Sequence, residues 1–315
     1  MRQRLALVAA VLSLAGCSVV SIDLTPRVRP LEESTVEGSG SGKVLLIDLA
    51  GVLAEEPILT LESRPQVPLL ARVREELEKA GDDDRVRAVV LRINSPGGTV
   101  TASDILYHEI MRFKERRKVP VVASILDVGA SGGYYVALAA DRILVHPTTV
   151  TGSIGVLMLT VNASGLLEKI GVSASYVKSG EFKDMGSPFR GLRPEERALF
   201  QDLIDRFYGR FVELVARSRK LDEARVSALA DGRVYTASEA LALRLVDQIG
   251  YLDEAIATAK SAAGLAEARV IIYHRPRQYR ATIYSSAETP APAATLSDLA
   301  RTVVSGPRFL YLWWP

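Results

Sequence analysis

The strongest candidate for nucleophilic chemistry in this chain is a serine set among small residues. Residues 129–133 read Gly-Ala-Ser-Gly-Gly, with Ser131 in the middle, and they follow the apolar run Val119–Ile125. This order predicts a strand, a tight turn and a helix that begins at Gly132, whose unpaired N–H groups suit an oxyanion. A serine that only caps a helix would fit the same pattern. Ser131 is therefore a nucleophile only if other residues support it.

A second glycine turn strengthens the case. Asn94-Ser95-Pro96-Gly97-Gly98 follows the strand-like run Val86–Ile93. In parallel α/β sheets, the carboxyl ends of the strands meet at the edge where ligands bind. A substrate backbone can approach glycines closely, so the N–H of Gly98 is predicted to be a second oxyanion donor opposite Gly132. Taken alone, a Pro-Gly-Gly sequence is an ordinary turn.

A serine hydroxyl also needs a base that removes its proton. Lys183 is one candidate, because it lies in the polar, glycine-containing stretch 179–188. A lysine acts as a base only when its pKa falls from about 10.4 towards 7, which burial can cause. Ser153, within Thr-Gly-Ser-Ile-Gly at 151–155, could hold a neutral amine by a hydrogen bond. Lysines in such loops are more often simply solvated.

The histidines offer a weaker alternative. His108 lies in an amphipathic helical pattern, His146 ends a strand pattern and His274 lies near the end of the ordered region. A Ser–His–Asp triad through Asp141 and His146 stays open, although no histidine lies in a glycine-framed loop.

Composition limits the other classes of function. Three histidines and one cysteine, without metal-binding spacings, predict no metal site and no cofactor. The net charge is only +2, and the basic residues are spread along the chain rather than clustered on one face. We therefore expect no nucleic-acid partner.

The elements that must position these residues alternate between strand and helix patterns, which predicts an α/β fold with largely parallel pairing. Thr101–Glu115 is a predicted helix with Thr101 and Asp104 spaced as a capping box. Further predicted elements lie C-terminal to these. They are strands at Arg142–His146, Ser173–Val177 and Arg269–Tyr273, and helices from Pro194, at Thr236–Ile249 and at Leu252–Ala263.

The two ends of the chain have their own patterns. Residues 1–16 have a basic start and a short apolar run that ends in Leu-Ala-Gly before Cys17, which resembles the signal peptide of a bacterial lipoprotein. Residues 17–42 are a predicted flexible tether, 43–275 the folded domain and 276–315 a partly disordered tail. The apolar residues 309–314 could pack in an oligomer, which we favour, touch a membrane, or occupy a substrate groove.

Several segments in the same order resemble the SppA-type signal peptide peptidases, in their short single-repeat form, within the ClpP/crotonase superfamily. They are Val89–Gly98 (VVLRINSPGG), Gly129–Tyr135 (GASGGYY), Ala139–Val145 (AADRILV), Thr151–Gly155 (TGSIG) and Val177–Pro188 (VKSGEFKDMGSP). The resemblance covers roughly residues 43–260. It implies a repeated β-β-α superhelix with a helical C-terminal part.

The resemblance also implies roles for particular residues. Ser131 matches the nucleophile and Lys183 the general base, with Lys178 as the nearest rival. Ser153 matches the serine that orients the lysine, and Gly98 and Gly132 match the oxyanion donors. It further implies extended peptide substrates and a ring-like homo-oligomer.

The cysteine is a departure from the pattern, because many relatives carry a membrane helix where this chain has Cys17. We therefore expect an exported serine endopeptidase, held through lipidated Cys17 at the periplasmic face of a membrane, with the outer membrane favoured. Its expected substrates are cleaved signal peptides or other unfolded exported polypeptides. Two alternatives are a catalytically inactive scaffold with the same fold and a crotonase-like acyl-CoA enzyme, which export disfavours.

Overall fold

The computed structural model describes residues 29–55, 67–276, 281–285 and 308–313. The strands of this part of the chain are β1 (Glu32–Glu37), β2 (Lys43–Ala50), β3 (Val86–Ser95), β4 (Gly97–Thr99), β5 (Val121–Ala130), β6 (Arg142–Val145), β7 (Val150–Gly152), β8 (Leu157–Leu159), β9 (Val234–Thr236), β10 (Gln248–Ile249), β11 (Arg269–His274) and β12 (Arg308–Leu312). The helices are α1 (Leu69–Gly81), α2 (Val100–Arg117), α3 (Gly132–Ala137), α4 (Ser164–Lys169), α5 (Pro194–Arg219), α6 (Glu223–Leu229), α7 (Ala237–Ala242) and α8 (Leu252–Ala262).

One nine-stranded sheet forms the centre of the described fold, in the order β1-β11-β2-β3-β5-β6-β10, with β7 paired to β5 and β9 paired to β7. Its middle strands β2, β3, β5 and β6 are all parallel to their neighbours. Alternate residues of β2 enter two different cores: Leu45 and Ile47 face one, and Val44 and Leu46 face the other. Helices cover both faces, so β2 is apolar almost throughout. The predicted α/β class is confirmed.

Helices α1, α2, α3 and α5 contribute to the larger core, and α8 packs on the opposite face. Three predicted elements differ from the structure. The side chain of Thr99, rather than Thr101, caps α2 by accepting from the N–H of Ala102. The predicted helix over 236–249 is only α7, followed by β10. Residues 173–177 form no strand, because the segment is exposed and no described strand pairs with it.

The predicted tether contains an ordered strand, which is a correction to its boundaries. Residues 32–37 form β1, which pairs antiparallel with β11 at the edge of the sheet. The buried Lys43 amine holds this edge by donating to Glu33 at 2.6 Å and to Asp83 at 2.7 Å. Backbone pairing and this ion pair hold β1, which has no apolar run, so the sequence pattern did not indicate a strand here. The signal peptide and Cys17 lie outside the described residues.

The predicted tail also contains a strand. β12 lies between β4 and β8 and pairs antiparallel with both, in a separate three-stranded sheet. Tyr311 in β12 is fully buried. The rest of the tail, apart from residues 276, 281–285 and 313, lies outside the described part of the chain. Among the described helices, none is both long and apolar enough to cross a bilayer.

Candidate active site

Ser131 lies at the turn between β5 and α3, as predicted. Its backbone has φ 52° and ψ −116°, a conformation that is uncommon for a residue with a side chain. The hydroxyl does not cap α3, so the helix-cap explanation for this serine is not supported. The N–H of Ser131 donates to the carbonyl of Gly152 at 2.7 Å. The strained turn is fixed by this bond and by burial, because Ser131 is only 1% exposed.

Hydrogen bonds of Ser95 and Leu53 hold the second glycine turn, residues 94–98, in place. The Ser95 hydroxyl donates to the carbonyl of Gly51 at 2.6 Å and accepts from the N–H of Gly97 at 3.1 Å. Leu53 donates to the carbonyl of Gly97 and accepts from the N–H of Thr99, both at 2.8 Å. Gly97 has φ 107°, which favours glycine. These bonds engage β4 on the side of Leu53 and leave the backbone of Gly98 for β12.

The carbonyl of Tyr311 occupies the space between the two glycine turns. The antiparallel register places Tyr311 opposite Gly98, and the N–H of Trp313 donates to the carbonyl of Pro96 at 2.8 Å. Hydrogen-bonded pairs recur every second residue in such a ladder, so the N–H of Gly98 faces the oxygen of Tyr311. A Cβ on Gly132 would lie 3.0 Å from the same oxygen. The structure thus brings Gly98 and Gly132 to one carbonyl oxygen.

Ser153 lies beside Ser131. Both line a cavity of about 600 Å³ whose wall also includes Asp205, Asp231 and Trp313. Ser153 has φ 49° and is 7% exposed, and its N–H donates to the carbonyl of Arg233 at 2.8 Å. The structure therefore brings together four of the five predicted catalytic residues, the fifth being Lys183.

Lys183 is exposed, in the loop segment 178–193, and the residues that line the cavity in the described part of the chain do not include it. Its neighbour Asp184 is paired with Arg190 at 2.8 Å and with Lys178 at 2.6 Å. Lys178, the rival base, is thus engaged in an ion pair. Among the described residues, no hydrogen bond joins the amine of Lys183 to Ser131 or Ser153 within one chain.

An ion-pair chain fastens this segment to α5. The guanidinium of Arg190 donates to Glu196, at the start of α5, at 2.9 Å as well as to Asp184. Hydrogen bonds from Arg190, and then from Lys178, hold the pKa of Asp184 well below its usual range. The hydrogen bond from Arg190 is also the main cause that lowers the pKa of Glu196 to about 2. Arg190 therefore joins the segment that carries Lys183 to α5, a contact that the sequence alone did not reveal.

The histidine alternative is not supported by the geometry. His146 contacts the hydroxyl of Thr148 at 2.9 Å. Asp141 instead accepts from the N–H of Val121 at 2.9 Å and pairs with Lys114 at 2.7 Å. His274 bonds to Ser34. No cluster of three or more metal-binding side chains occurs within the described residues.

Comparisons with known proteins identify the family of the chain. Peptidase family S49 matches residues 113–266. The chain is 38% identical over 242 residues to a protein of Enterococcus faecium named as a signal peptide peptidase, SppA, covering 77% of this chain and 70% of that protein. It is 43% identical over 187 residues to a protein of Synechocystis sp. named as a protease, covering 59% of this chain and 67% of that protein.

Two more distant similarities were found. A chloroplastic serine protease of Arabidopsis thaliana, SPPA, is 38% identical over 192 residues, which cover 61% of this chain and 28% of that protein. A solved structure of a ClpP1 mutant from Listeria monocytogenes aligns over 67% of this chain and 94% of its own, with 18% identity and a TM-score of 0.43.

Proposed function

The chain belongs to peptidase family S49 and is a serine peptidase, and from that premise we propose that Ser131 and Lys183 form its catalytic dyad. We further propose that it is a membrane-anchored endopeptidase for cleaved signal peptides or other unfolded exported polypeptides. One observation carries the proposal. A peptide carbonyl, that of Tyr311, is placed against both glycine turns, and the strained turn of Ser131 adjoins them.

The proposed mechanism follows from these positions. The Oγ of Ser131 attacks the carbonyl carbon of an extended peptide while the amine of Lys183 takes the hydroxyl proton. The N–H groups of Gly98 and Gly132 stabilise the oxyanion that forms. Collapse of this intermediate breaks the peptide C–N bond, and the leaving amine receives the proton. A water molecule, deprotonated by the same lysine, then hydrolyses the acyl-enzyme. The hydroxyl of Ser153 orients the neutral lysine.

We propose that a second copy of the chain supplies Lys183. In one chain this lysine is exposed, and it is not among the described residues that line the cavity beside Ser131. The region from β8 to the start of α5 also exposes large apolar side chains, which marks an interaction surface. They are Leu157, Leu159, Leu166, Ile170, Val172, Tyr176, Val177, Phe182, Phe189 and Leu199. If each copy gives a lysine to the next, the contact is head-to-tail, and such contacts form a ring when the rotation between neighbouring copies closes.

Complementation between two inactive variants tests both proposals. Ser131→Ala and Lys183→Ala chains, each alone, should not cleave an unstructured apolar peptide, whereas Lys169→Ala, an exposed-lysine control, should cleave it normally. The two variants are then co-expressed with different tags, and mixed oligomers are purified through both tags. About a quarter of the active sites should be restored, since about one pair of random neighbours in four combines an intact serine with an intact lysine. Full activity in either variant alone refutes the dyad. Two inactive variants with no recovery in the mixed oligomer refute the exchange between copies.

The location is part of the same proposal. Cys17 follows an apolar run that resembles a lipoprotein signal, and acylation of this residue would hold the enzyme at the periplasmic face of a bacterial membrane. A Cys17→Ser chain should appear in the soluble fraction, while the parent sediments with membranes and incorporates labelled fatty acid. Equal sedimentation of the two chains would contradict the lipid anchor.

A further inference from the structure

The space between β4 and β8 holds one extended strand, which in this structure is the chain's own β12. β12 is hydrogen-bonded on both edges, by β4 on one side and by β8 on the other. Peptidases that bind extended substrates can use this arrangement, because backbone pairing supplies affinity and separate pockets select the side chains. β12 therefore marks the path of a peptide through the site.

The carbonyl of Tyr311 indicates which residue of a bound peptide lies next to the cleaved bond. Its oxygen is the one that lies against Gly98 and Gly132, the two proposed oxyanion donors. The residue whose carbonyl occupies this place in a substrate is the one before the cleaved bond. The side chain of Tyr311 consequently marks the pocket for that residue, which we call the Tyr311 pocket.

The Tyr311 pocket is closed, aromatic and provided with one polar group. The ring of Tyr311 stacks on Tyr135 with centroids 5.1 Å apart and packs against Phe211 at 4.9 Å. Its hydroxyl donates to the backbone carbonyl of Phe207 at 2.8 Å. Burial raises the pKa of the Tyr311 phenol above its usual range, so the hydroxyl stays a donor at neutral pH.

The wall of the pocket is itself held in place. The hydroxyl of Tyr135 donates to Asp104 at 2.6 Å, and Arg210 donates to the same carboxylate oxygen at 2.6 Å. A wall fixed in this way favours a flat ring over a flexible aliphatic chain.

From this geometry we infer that the enzyme prefers tyrosine immediately before the cleaved bond. The inference rests on the proposed peptidase function and adds the substrate class. Phenylalanine would fill the pocket but lose the bond to the carbonyl of Phe207. That carbonyl also accepts a helical N–H within α5, so the loss is moderate, about 5- to 10-fold in kcat/KM. Alanine would leave the pocket empty and lose more than about 100-fold.

The test uses the full chain and four quenched fluorogenic peptides that differ only in one residue, Tyr, Phe, Leu or Ala, with the cleaved bond mapped by mass spectrometry. We expect cleavage after the varied residue with kcat/KM in the order Tyr, Phe, Leu, Ala. A Phe211→Trp chain, in which the larger ring crowds the pocket, should lose the preference for tyrosine, with a thermal melt to show that it is folded. Equal kcat/KM for all four peptides, or cleavage at other bonds, would overturn the inference.

A binding measurement separates this inference from the peptidase proposal. The tetrapeptides Arg-Phe-Leu-Tyr and Arg-Phe-Leu-Ala, labelled at the N-terminus, are titrated into the Tyr311→Ala full chain and followed by fluorescence anisotropy. Tighter binding of the tyrosine peptide supports the pocket even if no peptide is cleaved, an outcome that would refute only the peptidase mechanism. Equal binding refutes the pocket, whatever the enzyme cleaves.

Discussion

The substitution Tyr311→Ala tests whether substrates use the groove that β12 occupies. Tyr311 is fully buried, and its loss removes the aromatic contacts with Tyr135 and Phe211 together with the hydrogen bond to Phe207. Truncating a buried aromatic residue costs about 3–5 kcal/mol. We expect this free energy to be lost from the binding of β12 in the groove. At 1.4 kcal/mol per factor of ten, the ratio of seated to unseated strand drops by at least about 100-fold.

The expected result is a more active enzyme, because a seated β12 excludes an added peptide from the same hydrogen-bonding edges. The assay is kcat/KM for an unstructured fluorogenic peptide, with a thermal melt to confirm that the domain is folded. We expect kcat/KM to rise by up to about 100-fold. Tyr284→Ala is the matched control, since Tyr284 is 60% exposed and its loss should leave the rate unchanged. A Tyr311→Ala chain that is folded but no faster than wild type would refute the shared groove.

Three further predictions concern the site and its supports. Gly132→Ala places a methyl group against the substrate carbonyl and should lower kcat by roughly 100- to 1000-fold. The control Gly209→Ala, at an exposed helical position with open space, should keep kcat and raise stability by up to about 1 kcal/mol. Equal kcat in both variants would contradict the oxyanion role. Arg190→Ala should loosen the segment 178–193 and lower kcat roughly 10- to 100-fold, while Arg190→Lys retains part of the rate; an unchanged rate in the alanine variant would exclude the positioning role. The pKa of Glu196 is lowered from 4.5 to about 2, so its ionised form contributes stability above pH 4.5 that is lost as the pH falls towards 2. In acid-unfolding curves, Glu196→Gln should weaken the dependence of stability on pH in this range.

The local structure around Ser131 and the glycine turns agrees with the prediction because short-range chemistry sets it. Ser131 is framed by small residues because its backbone has a positive φ and a helix must begin at the next residue. Gly97 adopts φ 107°, and the short loop after β3 needs a glycine there. Apolar runs such as that of β2 are visible because both faces of the strand are buried.

The remainder depends on partners that are distant in the sequence. β1 and β12 are recognisable only through the strands that pair with them, β11 for the first and β4 and β8 for the second. The Tyr311 pocket is lined by residues from α3 and α5 and is filled from the tail, so no local sequence pattern indicates it. The position of Lys183 relative to Ser131 depends on contacts beyond the single chain in our proposal.

The measurement that tests the central claim most directly is labelling with a fluorophosphonate, which reacts only with an activated serine. We predict that the full chain is labelled and that peptide mapping places the label on Ser131. The Lys183→Ala chain should lose the labelling, and the Lys169→Ala control should retain it. A label on another serine, or undiminished labelling of Ser131 in the Lys183→Ala chain, would contradict the assignment of Ser131 and Lys183 as nucleophile and base.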